Sequence, residues 1–249
     1  MDLHRLISGK GGIGEIDVDK LSVYSRLLQE LQRQGELGAE GVLCEYKESL
    51  ESESRVLVLL RVTEDEGGVD SRLEPRERVG PGDRVEVVLA ETPFYVESGG
   101  QVDDSGLITA GESSGEGAKW VIEVEGMRRP VPGLVVHVGQ VESGHPAVGE
   151  RAWALVNRER RKDIARNHTA THLLHSELRY VLGEHVQQAG SLVASDRLRF
   201  DFSHGAMLVQ DEISEVERLV NAAILADYPV QVSHQAYVDA VAEGAMALF

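Results

Sequence analysis

Six short segments set the terms for any fold this chain can adopt. Residues 42–46, 55–62, 84–91, 120–125, 134–138 and 151–156 are rich in valine and leucine, and turn-forming residues separate them. Runs of that length and composition suit a pleated, half-buried backbone. A series of short strands must also dispose of its outer strand edges, and closing the sheet on itself removes them. A small β-barrel or closed sheet over residues 41–156 is therefore expected. The intervening stretches 64–78 and 110–119, acidic or rich in Gly and Ser, read as surface loops.

Before and after this region the apolar period becomes helical. Leu21, Tyr24, Leu27, Leu28 and Leu31 form a stripe over 17–34, which Asp17 or Asp19 can cap and Gly35 and Gly38 stop. Little nearby offers that helix a surface, so residues 1–40 read as the helical remnant of something longer. Leu174, Leu178, Val181 and Leu182 fall at i, i+4, i+7 and i+8, with Gly183 in the C′ place of a helix. Two strands follow, at 185–188 and 198–202 around Ser195-Asp196-Arg197. A helix over 211–226, a strand over 230–236 and a short helical turn over 237–242 complete the reading. The class is α+β. Ser8-Gly9-Lys10-Gly11-Gly12-Ile13-Gly14 looks like the start of a phosphate loop, but Glu15 and Ile16 stand where Lys and Ser or Thr are needed. A flexible turn is expected there.

The formal net charge of -17 argues against coating nucleic acid through the overall field. One stretch runs against it: Arg158, Arg160, Arg161, Lys162 and Arg166 put five cations in nine residues. Charge runs are usually solvated helix faces. Cations leading straight into a histidine pair are nevertheless well placed to hold an RNA backbone. The only cysteine, Cys44, can form no internal disulfide, and no run of ~18 apolar residues or charged-then-apolar start is present. A cytoplasmic protein without a membrane partner is expected.

That histidine pair is His168 and His172, in Asn167-His168-Thr169-Ala170-Thr171-His172-Leu173-Leu174-His175. Four residues apart on a helix, the two imidazoles share one face, from which ring nitrogens can hold zinc at ~2.0–2.1 Å. A metalloprotease would need Glu after the first histidine, and Thr169 excludes that reading. Within 92–106, Gly99 and Gly100 allow positive φ and close backbone approach, either in a plain hairpin or in a loop offering N–H groups to a ligand.

The segment 167–175, followed by Gly183-Glu184-His185-Val186-Gln187-Gln188-Ala189-Gly190-Ser191-Leu192 and Arg199-Phe200-Asp201-Phe202-Ser203-His204, resembles the editing core of alanyl-tRNA synthetases. Residues 92–101 are similar to the glycine-rich loop of the barrel before that core, and the resemblance covers roughly 40–249. It implies an α/β editing core of the threonyl/alanyl-tRNA synthetase second-additional-domain type at 157–249, after the barrel at 41–156. Residues 1–40 would then belong to the upstream tRNA-binding region.

By that resemblance His168 and His172 are zinc ligands completed by a later Cys-x-x-x-His. Thr171 distinguishes serine from alanine, Gln188 lines the same pocket, and Gly99 and Gly100 face it. The partners implied are tRNA(Ala), Ser-tRNA(Ala) and Gly-tRNA(Ala), with no DNA. No cysteine follows Cys44 and no catalytic domain for ATP and alanine is present, so a truncated piece with an incomplete zinc site and weak activity is expected. A free-standing trans-editing hydrolase and a non-catalytic RNA-binding module are the alternatives. His175 reads as a packing residue, and His137, His185 and His204 as histidines without an identifiable partner.

Overall fold

A computed structural model describes residues 18–44, 50–64, 71–111, 117–231 and 235–244. The stretch 8–14, Asp17, the middle of the expected strand at 230–236 and the final residues 245–249 lie outside the described residues. The positions flanking that middle take no strand conformation. The chain divides into two compact units, one ending at Ile164 and one beginning at Ala165.

In the first unit, helix α1 (Val18–Arg33) precedes strands β1 (Leu43–Cys44), β2 (Glu51–Glu64), β3 (Ser71–Pro75), β4 (Arg84–Leu89), β5 (Glu91–Thr92), β6 (Gly106–Ala110), β7 (Trp120–Val131), β8 (Leu134–Ser143) and β9 (Arg151–Val156). Strand β2 closes the sheet. Its start, from Glu51 to Arg55, pairs antiparallel with β9, and its continuation from Val56 to Arg61 pairs antiparallel with β4. The order β2-β4-β8-β7-β6-β9 then returns to β2, a barrel of six antiparallel strands. Val56 to Leu60 are buried without a break, as are Val85 to Leu89. Strand side chains alternate between faces, so these stretches are covered on both.

Two strands lie outside the expected set. β3 lies within the acidic stretch 64–78 and pairs with the far end of β2, Leu73 opposite Val62. Its charges belong to an outer strand, where polar side chains face water and deter further pairing. β6 (Gly106–Ala110) fills the gap between the expected turn at 92–106 and the expected loop at 110–119, where no strand was expected, and is held between β7 and β9.

Helix α1 does find a surface, contrary to the expectation that it lacks one. Tyr24 and Leu31 are buried in the same cluster as the barrel core, with Leu27 and Leu28 partly buried beside them. Tyr24 donates its hydroxyl to Glu86 Oε2 at 2.6 Å, and Arg128 donates to Oε1 at 3.0 Å. Burial pushes the Glu86 carboxyl above the usual carboxylate range, against the pull of those two donors. After the helix, Gly41 (φ +83) passes so close to Gly133 that a Cβ would stand 1.9 Å from its carbonyl oxygen.

His137 is fully buried on β8 and has partners on two sides. Its Nδ1–H donates to the Val87 carbonyl at 3.0 Å, so Nε2 accepts the Thr92 hydroxyl at 2.8 Å. Burial holds its pKa down, at about 4.

The second unit holds most of α2 (Arg158–Leu182), the hairpin β10 (Gln188–Val193) and β11 (Leu198–Phe202), α3 (Gln210–Ala226) and α4 (Tyr237–Ala242). Leu178, Val186 and Val216 form its core, with Leu174, Val181, Leu182, Phe200, Phe202 and Val220 against them. The stripe expected on α2 is therefore the packed one, and Gly183 follows its end with φ +116. At the other end Asn157 caps the helix, its Oδ1 accepting the Arg160 N–H at 3.1 Å. Among the described residues no helix is long and apolar enough to cross a membrane.

Two outcomes follow from these contacts. Asn157→Ala should cost about 1 kcal/mol in urea-induced unfolding, because an orphan helix N–H loses its acceptor. For His137 the unfolded ring takes up a proton near pH 6.5 and the folded one near 4, so stability is full above that window and falls as pH drops through it. Urea melts between pH 7 and 4 should show a loss of about 3 kcal/mol from this group. His137→Gln should flatten that slope.

Candidate functional site

The turn at residues 93–105 is a small hairpin with a tight tip. Ser98 and Gln101 exchange backbone hydrogen bonds of 3.2 and 3.1 Å. Gly99 (φ +61) and Gly100 (φ +85) occupy the two central places. Positive φ at both centres is a type I′ turn, which glycine adopts without steric cost. The base of the hairpin is held by the start of α2. Arg161 donates Nε to both Asp104 oxygens at 3.0 Å and Nη2 to the Pro93 carbonyl at 3.0 Å. Arg160 donates to the Asp103 carbonyl at 3.0 Å, and Asn157 N–H to that of Ser105 at 2.8 Å. Asp103 in turn accepts the Met127 N–H at 2.5 Å, and burial raises its carboxyl above the ordinary range.

The five expected RNA-binding cations therefore divide. Arg160 and Arg161 turn inward to the hairpin, Arg161 with its side chain 19% exposed. Arg158, Lys162 and Arg166 are exposed. These three sit at i, i+4 and i+8 of one helix, hence along one face at about 6 Å intervals.

In the second unit the imidazoles of His168 and His172 are stacked, ring centroids 5.1 Å apart and planes inclined by 14°. The shared face expected from their spacing is present, while both residues are exposed. Partial burial and the neighbouring His172 ring hold His168 below the ordinary histidine range, which keeps a lone pair for a metal or a hydrogen-bond donor. Among the described residues no group of three or more His, Cys, Asp or Glu side chains is arranged to hold a metal. Two imidazoles are half of a four-coordinate zinc site.

Thr171 lies between them in sequence and is buried, its hydroxyl donating to the Asn167 carbonyl one turn back at 2.8 Å. With that proton committed, Oγ1 can serve another group only as an acceptor. Gln188 opens β10, half-buried, its Nε2 donating to Ser191 Oγ at 3.1 Å. Asn167 donates Nδ2 to the carbonyls of Ala194 and Ser195 at 2.7 and 3.3 Å, fixing the β10–β11 turn to α2.

Three further histidines complete the picture. His175 is buried as expected, its ring 5.0 Å from Phe200, with a buried Nε2 that has no hydrogen-bond partner. His185 and His204, for which the sequence identified no partner, have each other: Nε2 and Nδ1 lie 3.0 Å apart. The hydrogen-bonded β10–β11 pairing brings the two ends of that hairpin together, which residue spacing did not reveal. Asp104 and Arg161 were likewise invisible as a pair, since 57 residues separate them.

A family model described as tRNA synthetases class II (A) matches residues 27–160. The chain is similar to the alanine–tRNA ligase of Chloroflexus aurantiacus, at 51% identity over 68% of this chain and 18% of that protein. It is similar to that of Thermus thermophilus at 50% identity, over 81% of this chain and 21% of the relative. For Roseiflexus castenholzii the values are 39% identity, all of this chain and 27% of the relative. The chain thus spans about a fifth to a quarter of the length of the curated relatives it matches. The family model covers more than half of the chain, and on that match, with strongly similar relatives beside it, the chain belongs to the class II (A) tRNA synthetases.

Proposed function

We propose that this chain is the barrel and editing region of an alanine–tRNA ligase. The whole ligase would attach alanine to tRNA(Ala) with ATP, and this region would hydrolyse Ser-tRNA(Ala) and Gly-tRNA(Ala). The need is physical. A pocket for alanine cannot exclude the smaller glycine and rejects an added hydroxyl poorly, so a second site must remove the errors. The observation that carries the reading is the stacked, exposed pair His168 and His172 beside Thr171.

In this reading the Thr171 oxygen accepts a hydrogen bond from the serine hydroxyl, because its own proton is held by Asn167. Gln188 lines the same pocket. The Gly99–Gly100 turn offers close backbone approach to the tRNA end. A zinc ion, when bound by His168 and His172, would supply Lewis-acid chemistry or orient the ester. The described residues provide only two of its ligands, so no step of the hydrolysis is assigned to it. Arg158, Lys162 and Arg166 would follow the RNA backbone.

In the full-length ligase, His172→Ala should lower Ser-tRNA(Ala) hydrolysis by about 10²-fold and leave alanine attachment within about twofold. Equal deacylation by both forms would refute the assignment. For the cations, replacing Arg158 and Lys162 by Gln should lessen the slope of log K against log salt for tRNA(Ala) by about 1.4–2. An unchanged slope would remove them from the RNA interface.

A further inference from the structure

Buried polar atoms are rarely left without a partner, but the second unit holds one that is. His175 is 5% exposed and Thr171 6%, so neither side chain has ready access to solvent. Among the described residues the His175 Nε2 has no hydrogen-bond partner, and it is the one buried side-chain atom of this unit in that state. Its ring lies 5.0 Å from that of Phe200, which offers no nitrogen or oxygen. An apolar side chain of similar volume would avoid the cost of an unpaired nitrogen there. The nitrogen therefore does nothing for folding, and a partner for it has to come from outside the unit. The helix places it beside the residues of the proposed site. At about 100° per residue, His172, His168, His175 and Thr171 follow one another across an arc of about 100° on α2. The first two are exposed and the last two buried, so the arc runs from the open surface into the packed stripe. Residues four apart on a helix have Cβ atoms about 5–6 Å apart, and side chains lean toward the preceding turn, which for His175 is that of Thr171. That separation suits one hydroxyl held between the two side chains.

A serine hydroxyl has one proton to give and lone pairs to receive another. Thr171 Oγ1 can only accept, because its own proton goes to the Asn167 carbonyl. The hydroxyl oxygen then still needs a donor. We infer that the His175 Nε2–H is that donor, which makes His175 a specificity-determining residue of the hydrolysis proposed above, on which this inference rests. Glycyl and alanyl esters leave the nitrogen unpaired, so the contact favours the seryl ester over both.

The test compares wild-type full-length ligase with His175→Leu and His175→Gln, on Ser-tRNA(Ala) and on Gly-tRNA(Ala). His175→Leu should lower kcat/KM for Ser-tRNA(Ala) hydrolysis by about 10–10²-fold and that for Gly-tRNA(Ala) by no more than about threefold. His175→Gln, which returns an N–H donor at similar reach, should hydrolyse Ser-tRNA(Ala) at least about threefold faster than the Leu variant. In urea unfolding His175→Leu should hold or raise the midpoint, since it removes an unpaired buried nitrogen. Equal losses on the two esters, with a lowered midpoint, would make His175 a packing residue and overturn the inference. A Leu variant that hydrolyses Ser-tRNA(Ala) as well as the wild type sinks this inference alone and leaves the editing reading standing. If the wild-type ligase hydrolyses neither ester, the editing reading falls and takes this inference with it.

Discussion

The pairing of Glu51–Arg55 with β9 holds the first unit together, because without it six strands would be an open sheet with two bare edges. One strand can close the ring because it is long enough to serve two partners in succession. Between Val56 and Val58 its register with β4 shifts, the kind of irregularity that bends a strand and tightens its twist. The unbroken burial from Val56 to Leu60 follows: a strand that lines the barrel and is covered on its other side has no face to give to water. The closed barrel also offers the surface that α1 needs, and Tyr24 brings to it the hydroxyl that satisfies the buried Glu86.

The start of α2 meets the hairpin through charge and hydrogen bonding rather than apolar packing. Asn157, Arg160 and Arg161 each give a hydrogen bond to the returning limb. Such contacts have direction, and direction decides where a two-residue glycine turn points. The remaining cations, Arg158, Lys162 and Arg166, keep their exposure, and the Lys162 ammonium lies 3.5 Å from Glu159 Oε1. Charges farther away than a Debye length, about 8 Å at physiological salt, are largely screened, so the groups close to this helix face set its local potential more than the net charge does.

Where the sequence was readable, the signal was periodic and local. The stripe Leu21 to Leu31 marked α1 to within a residue or two, and the helix expected over 211–226 matches α3 to a similar margin. The valine-rich runs became β2, β4, β7, β8 and β9. β3 and β6 escaped because each owes its existence to a neighbour, one to the end of β2 and the other to β7 and β9. At the candidate site, spacing alone placed His168 and His172 on one face. It said nothing of their exposure, nor of the Thr171 proton being taken by Asn167.

By itself, then, the sequence determined the α+β class, the barrel, the helix carrying the imidazole pair and the family to which the chain belongs. Each of these is written in short-range order: a period of two or 3.6, a glycine where φ must be positive, a run of words shared with relatives. Only the tertiary structure decided that β2 meets β9, that His137 sits neutral between Val87 and Thr92, and that Arg161 serves Asp104 instead of solvent. The physical reason is common to all three. A cation, an imidazole or a strand edge carries no mark of its partner when that partner is tens of residues away, and the choice is made by whichever groups the closed barrel leaves within reach.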